Sequence, residues 1–187
     1  MRDHPFNPRK LDVEAFAAQA ASLEGDWPAH SLSRLADSAA PEVPAADWPL
    51  IHWSLTGEKR EPRRGVVEIW LHLQAAATAA LTCQRCLQPV QEQLDLSRWF
   101  HFARDEDEAA ALDVDSEDDV LALSRSFDAI ELIEDELLLS LPLVPRHETC
   151  PVPLPQAVEN LLHADEAERP NPFATLAALK KSLGPEQ

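Results

Sequence analysis

The chain has little glycine, cysteine or positive charge, and it has no long hydrophobic run. Four Gly in 187 residues leave no phosphate-cradling loop of the G-x-G-x-x-G or G-x-x-x-x-G-K type. Three Cys, an odd number, argue against a disulfide framework and for reduced thiols in a cytosol. The start, with charges and the prolines Pro5 and Pro8, lacks the apolar stretch of a secretory signal. No segment approaches the ~18 apolar residues of a membrane span, so a cytoplasmic protein with no membrane contact is expected. The seven His are scattered, and none stands in an H-E-x-x-H pattern. Nothing in the sequence supports catalysis. Only 16 Lys+Arg face 33 Asp+Glu, a formal net charge of −17. Such a surface repels phosphate backbones at long range and favours a basic protein partner.

An apolar content of 45 % is ordinary for a globular chain, and the length suits one domain with a tail. Asp12 is a good N-cap for a helix carrying Val13, Phe16, Ala17 and Ala20, with Gly25 as its left-handed stop. Residues 27–47 read as loop with one helical turn. The period then changes from helical to alternating. Ile51, Trp53 and Leu55 alternate with His52, Ser54 and Thr56, and Gly57–Gly65 reads as a hairpin-like connection. From Val67 to Cys83 the odd positions are apolar, with a bend expected near Ala75–Ala77. Val90, Leu94, Leu96, Phe100 and Phe102 continue on even positions. An antiparallel, curved sheet over residues 48–102 with one buried face follows from this.

Residues 105–119 hold nine carboxylates and no cation, and read as a solvated acidic loop. Beyond it, Ile130, Ile133, Leu137, Leu138 and Leu141 share one face of a helix near 128–141. Glu131, Glu134, Asp135 and Glu136 largely make up its other, wet face. This helix and the N-terminal one are the expected cover of the sheet in an α+β domain spanning residues 1–150. Residues 151–187 are expected to form a Pro-rich linker and a short amphipathic C-terminal helix (Phe173, Leu176, Leu179, Leu183).

The sharpest local motif is Cys83-x-x-Cys86, whose tight turn can aim two thiolates at one metal ion. His147-x-x-Cys150 supplies two further donors, so a zinc site would join the strand junction to the segment after the second helix. Two other readings stand beside it. The thiols can be ordinary, or they can be a redox pair, although a thioredoxin-like motif opens a helix and this one joins two strands. Lys59, Arg60, Arg63 and Arg64 form the one tight cationic cluster. With Trp70 and Trp99 on the nominally exposed parity, it offers a small surface for RNA phosphates and bases.

Several stretches together are similar to the bacterial YceD family of large ribosomal RNA subunit accumulation proteins. They are Cys83-Gln-Arg-Cys86-Leu-Gln-Pro-Val, the run from Ile130 to His147, Cys150, and the ending Arg169-Pro-Asn-Pro-Phe-Ala-Thr-Leu-Ala-Ala-Leu-Lys180. The resemblance implies a cytoplasmic role in the synthesis, processing or stability of the 23S rRNA precursor, with no catalytic residue. Some relatives carry a fuller cysteine set near the position of Cys150, which implies an ancestral metal site. The expected function is a non-enzymatic ribosome-biogenesis factor. Its partner would be a basic protein, such as a ribosomal protein or an RNA-processing enzyme. Contact would run through Asp105, Glu106, Asp107 and Glu108 and the second helix's wet face, with rRNA touched indirectly or weakly. The alternatives are direct RNA binding through Lys59–Arg64 and a small structural zinc module.

Overall fold

Alternation of apolar and polar side chains builds three strands, and the rest of the fold is arranged on them. The computed structural model describes residues 6–61, 65 and 67–151. Strands β2 (Ile51–Arg60), β3 (Glu68–Thr82) and β4 (Pro89–Ala103) form a long antiparallel meander. A short β1 (Ser22–Trp27) flanks β2 antiparallel, and β5 (Asp119–Ala122) flanks β4 parallel. The result is an open five-stranded sheet in sequence order, mostly antiparallel, in an α+β fold. β3 is continuous, paired to β4 from Ile69–Phe102 through Thr82–Pro89, so the pairing is not interrupted at Ala75–Ala77. β2 likewise runs on through Gly57 to Arg60, where a hairpin connection was expected.

One face of the sheet is buried. Leu55, Leu71, Leu73 and Phe100 project from it and are covered by α1 (Val13–Ala18), the one-turn α2 (Ser33–Ala36) and α4 (Ala129–Leu139). α4 contributes Ile130, Ile133 and Leu137, all buried, each stabilising by roughly 1.5–3 kcal/mol. α1 lies very close to β2. A Cβ on Gly57 would sit 2.8 Å from the Ala17 backbone and 2.7 Å from the Phe16 ring, so the helix reaches this depth because position 57 has no side chain.

α1 does not end at Gly25. It stops at Ala18, and Ala20 adopts φ +45°. The Ala20 N–H donates to the Ala17 carbonyl (3.0 Å) and the Ala21 N–H to the Phe16 carbonyl (3.1 Å). This is the Schellman arrangement with alanine where glycine is usual. Gly25 belongs instead to β1, opposite Trp53. β1 itself was read as the end of a helix, because Leu23, Gly25 and Trp27 alternate too weakly to declare a strand.

The acidic stretch is also more ordered than its charge suggested. Glu106–Asp113 is a helix, α3, capped by Asp105, whose carboxylate accepts the Glu108 N–H at 2.9 Å. Glu108 reaches back to the N–H of Arg104, the residue before the cap, at 2.8 Å, a bond displaced by one residue from that of a capping box. Carboxylates in the first turn are favoured by the helix dipole, so their density here supports a helix start. The chain then returns as β5, which begins at Asp119, the last residue of the stretch expected to be loop.

The wet face assigned to α4 needs correction as well. Glu134 and Glu136 are buried. Oε1 of Glu134 accepts the backbone N–H groups of Arg34 (2.7 Å) and Leu35 (3.1 Å), and Oε2 accepts the Arg34 guanidinium. α2 has no side-chain cap of its own, so a carboxylate from another helix caps it. Glu136 accepts the Arg98 guanidinium of β4 at 3.1 Å. The linker and helix expected beyond Pro151, and the cations Arg63 and Arg64, lie outside the described residues.

An Ala20→Gly substitution removes the cost of a left-handed alanine, about 1 kcal/mol. It should raise the denaturation midpoint in a urea titration with an unchanged slope; a lower midpoint would contradict the cap geometry.

Candidate metal centre

The β3–β4 turn spans residues 83–88 and carries two of the four candidate donors. The Leu87 N–H donates to the Cys83 carbonyl and the Cys83 N–H to the Gln88 carbonyl, both at 3.0 Å. Leu87 closes the turn at φ +58°, the left-handed position that glycine often fills after such a cysteine pair. The second donor pair arrives from the segment after α4, which is pinned to the turn by the Gln84 N–H donating to the Pro145 carbonyl at 2.9 Å. Cys83, Cys86, His147 and Cys150 then present one sulfur or ring nitrogen each, all within 4.8 Å of one another. The sequence spacing put these four residues forward, and the fold brings all four together.

The electrostatics of the cluster suit a thiolate site. Cys83 is fully buried, which works against ionisation. Backbone N–H groups of Cys86, Arg85 and His147 and the His147 ring outweigh that burial, and the Cys83 thiol is pulled down to about 5. Cys150 is pushed up to about 11 by burial and by the neighbouring thiols of Cys86 and Cys83. His147 is oriented from behind. Its Nε2 lies 3.0 Å from the Pro89 carbonyl, which can only accept, so Nε2 carries the proton. Nδ1 faces the Cys86 sulfur at 3.5 Å. A carbonyl holding the far ring nitrogen is the usual support of a ligating histidine. The four residues can hold a metal ion. A thioredoxin-like role does not fit, since the motif joins two strands and opens no helix.

The other candidate residues fare differently. Lys59 is exposed at the end of β2. Arg60 is not free: its guanidinium pairs with Glu58 at 3.1 Å and lies 4.2 Å over the Trp70 ring and 4.4 Å over Trp99. His101 stacks on Trp70 (4.7 Å) and His72 on Trp99 (4.3 Å). Trp70 is buried, against its reading as exposed. This column of rings was missed, though its signal was present: Trp70 and His72 on β3 alternate in step with Trp99 and His101 on β4. Asp105, Glu106 and Asp107 are exposed at the start of α3 and Glu108 is half-buried. Asp105 is held below the usual carboxylate range by the Glu108 N–H and the Arg104 guanidinium.

Residues 71–180 match the family model described as "Large ribosomal RNA subunit accumulation protein YceD". The chain belongs to the YceD family. It is 31% identical over 176 residues to the large ribosomal RNA subunit accumulation protein YceD of Haemophilus influenzae, covering 93% of this chain and 96% of that one. The region matched by the YceD model takes in most of β3, the cysteine turn, α4 and the His147–Cys150 segment. The family is described by RNA accumulation and not by a reaction. No solved structure matches the chain. Among the described residues no helix is long and apolar enough to cross a membrane.

The Cys83 value has a consequence for stability. Its folded value, about 5, lies below the ordinary 9.0, so the ionised thiol stabilises the fold fully above about pH 9 and ceases to below about 5. In chelator-treated protein, stability to urea should therefore fall towards acid more steeply for the wild type than for Cys83→Ser. Parallel profiles would show that the thiolate contributes nothing.

Proposed function

We propose that the protein is a non-enzymatic ribosome-biogenesis factor acting in the bacterial cytoplasm, supporting the synthesis, processing or stability of the 23S rRNA precursor. The observation that carries this reading is membership of a family named for large-subunit rRNA accumulation, over most of the chain. A net charge of −17 and the acidic start of α3 favour a basic protein as the partner, for instance a ribosomal protein or an RNA-processing enzyme. RNA would then be reached indirectly. Direct binding through Lys59–Arg64 is weakened by Arg60, whose guanidinium already serves Glu58 and two indoles. The tryptophan faces it covers are no longer open for base stacking.

In a strain lacking the chromosomal gene, a copy with Asp105, Glu106 and Asp107 changed to Asn, Gln and Asn should fail to restore mature 23S rRNA. It should also lose ribonuclease-resistant, salt-sensitive partners in a pull-down. Restored rRNA with unaltered partners would reject the acidic route.

Zinc is the metal the cluster suits best. Three sulfurs and an imidazole are its preferred structural set, and tetrahedral Zn–S bonds of about 2.3 Å need sulfurs about 3.8 Å apart. Donors already within 4.8 Å need only a small contraction. Bound there, the ion would supply a cross-link between the β3–β4 turn and the segment after α4, and no chemistry on a substrate. Purified protein should carry one zinc per chain by mass spectrometry under native conditions. His147→Ala or Cys86→Ser should lose it and melt lower. Metal-free wild type with an unchanged melt in both variants would leave the thiols as ordinary side chains.

A further inference from the structure

A groove of about 430 Å³ opens beside α3, where α1, the start of β3 and the end of β4 meet. Its wall includes apolar side chains that a folded chain normally hides. Val67 is 44% exposed and Leu112 39%, and Leu123 continues the apolar strip between them and the core. Its rim carries Glu14, Glu68 and Glu108. The one cation in the lining, Arg104, is already paired with Asp105 at 3.0 Å. Two of the three rim carboxylates are oriented by internal bonds without being used up. Glu68 accepts the Trp70 indole N–H at 3.0 Å and Glu108 the Arg104 N–H at 2.8 Å, and a carboxylate has acceptor sites to spare.

Apolar floor and negative rim together specify an occupant. A purely basic surface would be satisfied by the exposed carboxylates of α3 and would leave the floor wet, whereas an apolar ligand would have to desolvate the rim without compensation. Among the described residues of the lining, an RNA strand would meet three carboxylates and one cation already paired. We propose that this groove seats a short cationic stretch of the partner protein, with one aliphatic side chain on Val67, Leu112 and Leu123 and flanking lysine or arginine side chains on Glu14, Glu68 and Glu108. The assignment rests on the basic-partner reading above and adds the surface and the side-chain pattern it selects. Because Glu68 and Glu108 are held in place before binding, less side-chain ordering opposes association.

The test uses the full chain and a fluorescein-labelled decapeptide of alternating lysine and serine with one central leucine. The same peptide with serine at the centre and a single-stranded oligouridylate are the comparison ligands. The leucine peptide should bind by fluorescence anisotropy, more weakly as salt rises, and about tenfold better than its serine counterpart. Leu112→Ser and Glu14→Lys should each weaken it about tenfold, whereas Glu42→Lys, an exposed site outside the groove lining, should leave it unchanged. Thermal melts of the two groove variants check that they are folded; both residues are solvent-accessible. The proposal is overturned if the leucine peptide does not bind, if both peptides bind alike, if folded groove variants bind as wild type does, or if the oligouridylate is the ligand they lose. Loss of rRNA in the α3 charge variant alongside a groove that fails these tests would keep the basic-partner reading and reject this seat for it. An intact rRNA level with a groove that passes would keep the seat and reject only the exposed start of α3 as the partner's contact.

Discussion

The docking of α4 is the constraint on which the parts outside the sheet depend. Its apolar residues supply the adhesion, but its two buried carboxylates set where it lies. Glu136 is tied to Arg98 on the sheet, and Glu134 holds both the backbone and the guanidinium at the start of α2. Burying two acids is costly unless each finds a partner. Here each does, so a shifted helix would strand both. The exit of α4 then delivers His147 and Cys150 to the β3–β4 turn. The candidate metal cluster is assembled by long-range packing, across the 60 residues that separate Cys86 from His147, and could not form from a local finger.

The sheet was readable because period-two alternation reports burial directly. β2, β3 and β4 expose one parity and hide the other, and the inner row Leu55–Leu73 and Leu71–Phe100 follows the expected positions. The cluster was readable for a chemical reason: few functions other than metal binding ask for two soft or imidazole donors at each of two places. What could not be read depends on neighbours that a linear pattern does not name. β1 is a strand because Gly25 leaves room for Trp53, whose ring would lie 2.9 Å from any Cβ there. Trp70 is buried by Arg60, His101 and Trp99 from other turns of the meander. Glu134 and Glu136 look like wet-face residues until Arg34 and Arg98 are known to face them.

The acidic stretch was misread for a different reason. Repulsion among like charges was weighed along the chain, while their position relative to a helix start was not. Asp105-Glu-Asp-Glu108 places its carboxylates where unpaired N–H groups and the positive end of the helix lie. The cluster therefore partly neutralises itself by folding. The remaining field points outward from an ordered surface, which suits recognition better than a loop would, since a partner need not order it first.

The open ends of the sheet carry a final consequence. A meander with two 15-residue strands could recruit further strands from other copies and grow into an aggregate. Its edges resist this. β5 pairs with only Phe100–Ala103 of β4, and the length of β4 before it carries Glu92 and Asp95, while β1 presents the exposed Glu24 and Asp26, so an incoming copy of either strand would set like charges side by side. Short or charged margins are how open sheets avoid polymerising edge to edge. The same excess of carboxylates that favours a basic partner thus also works against edge-to-edge pairing of copies.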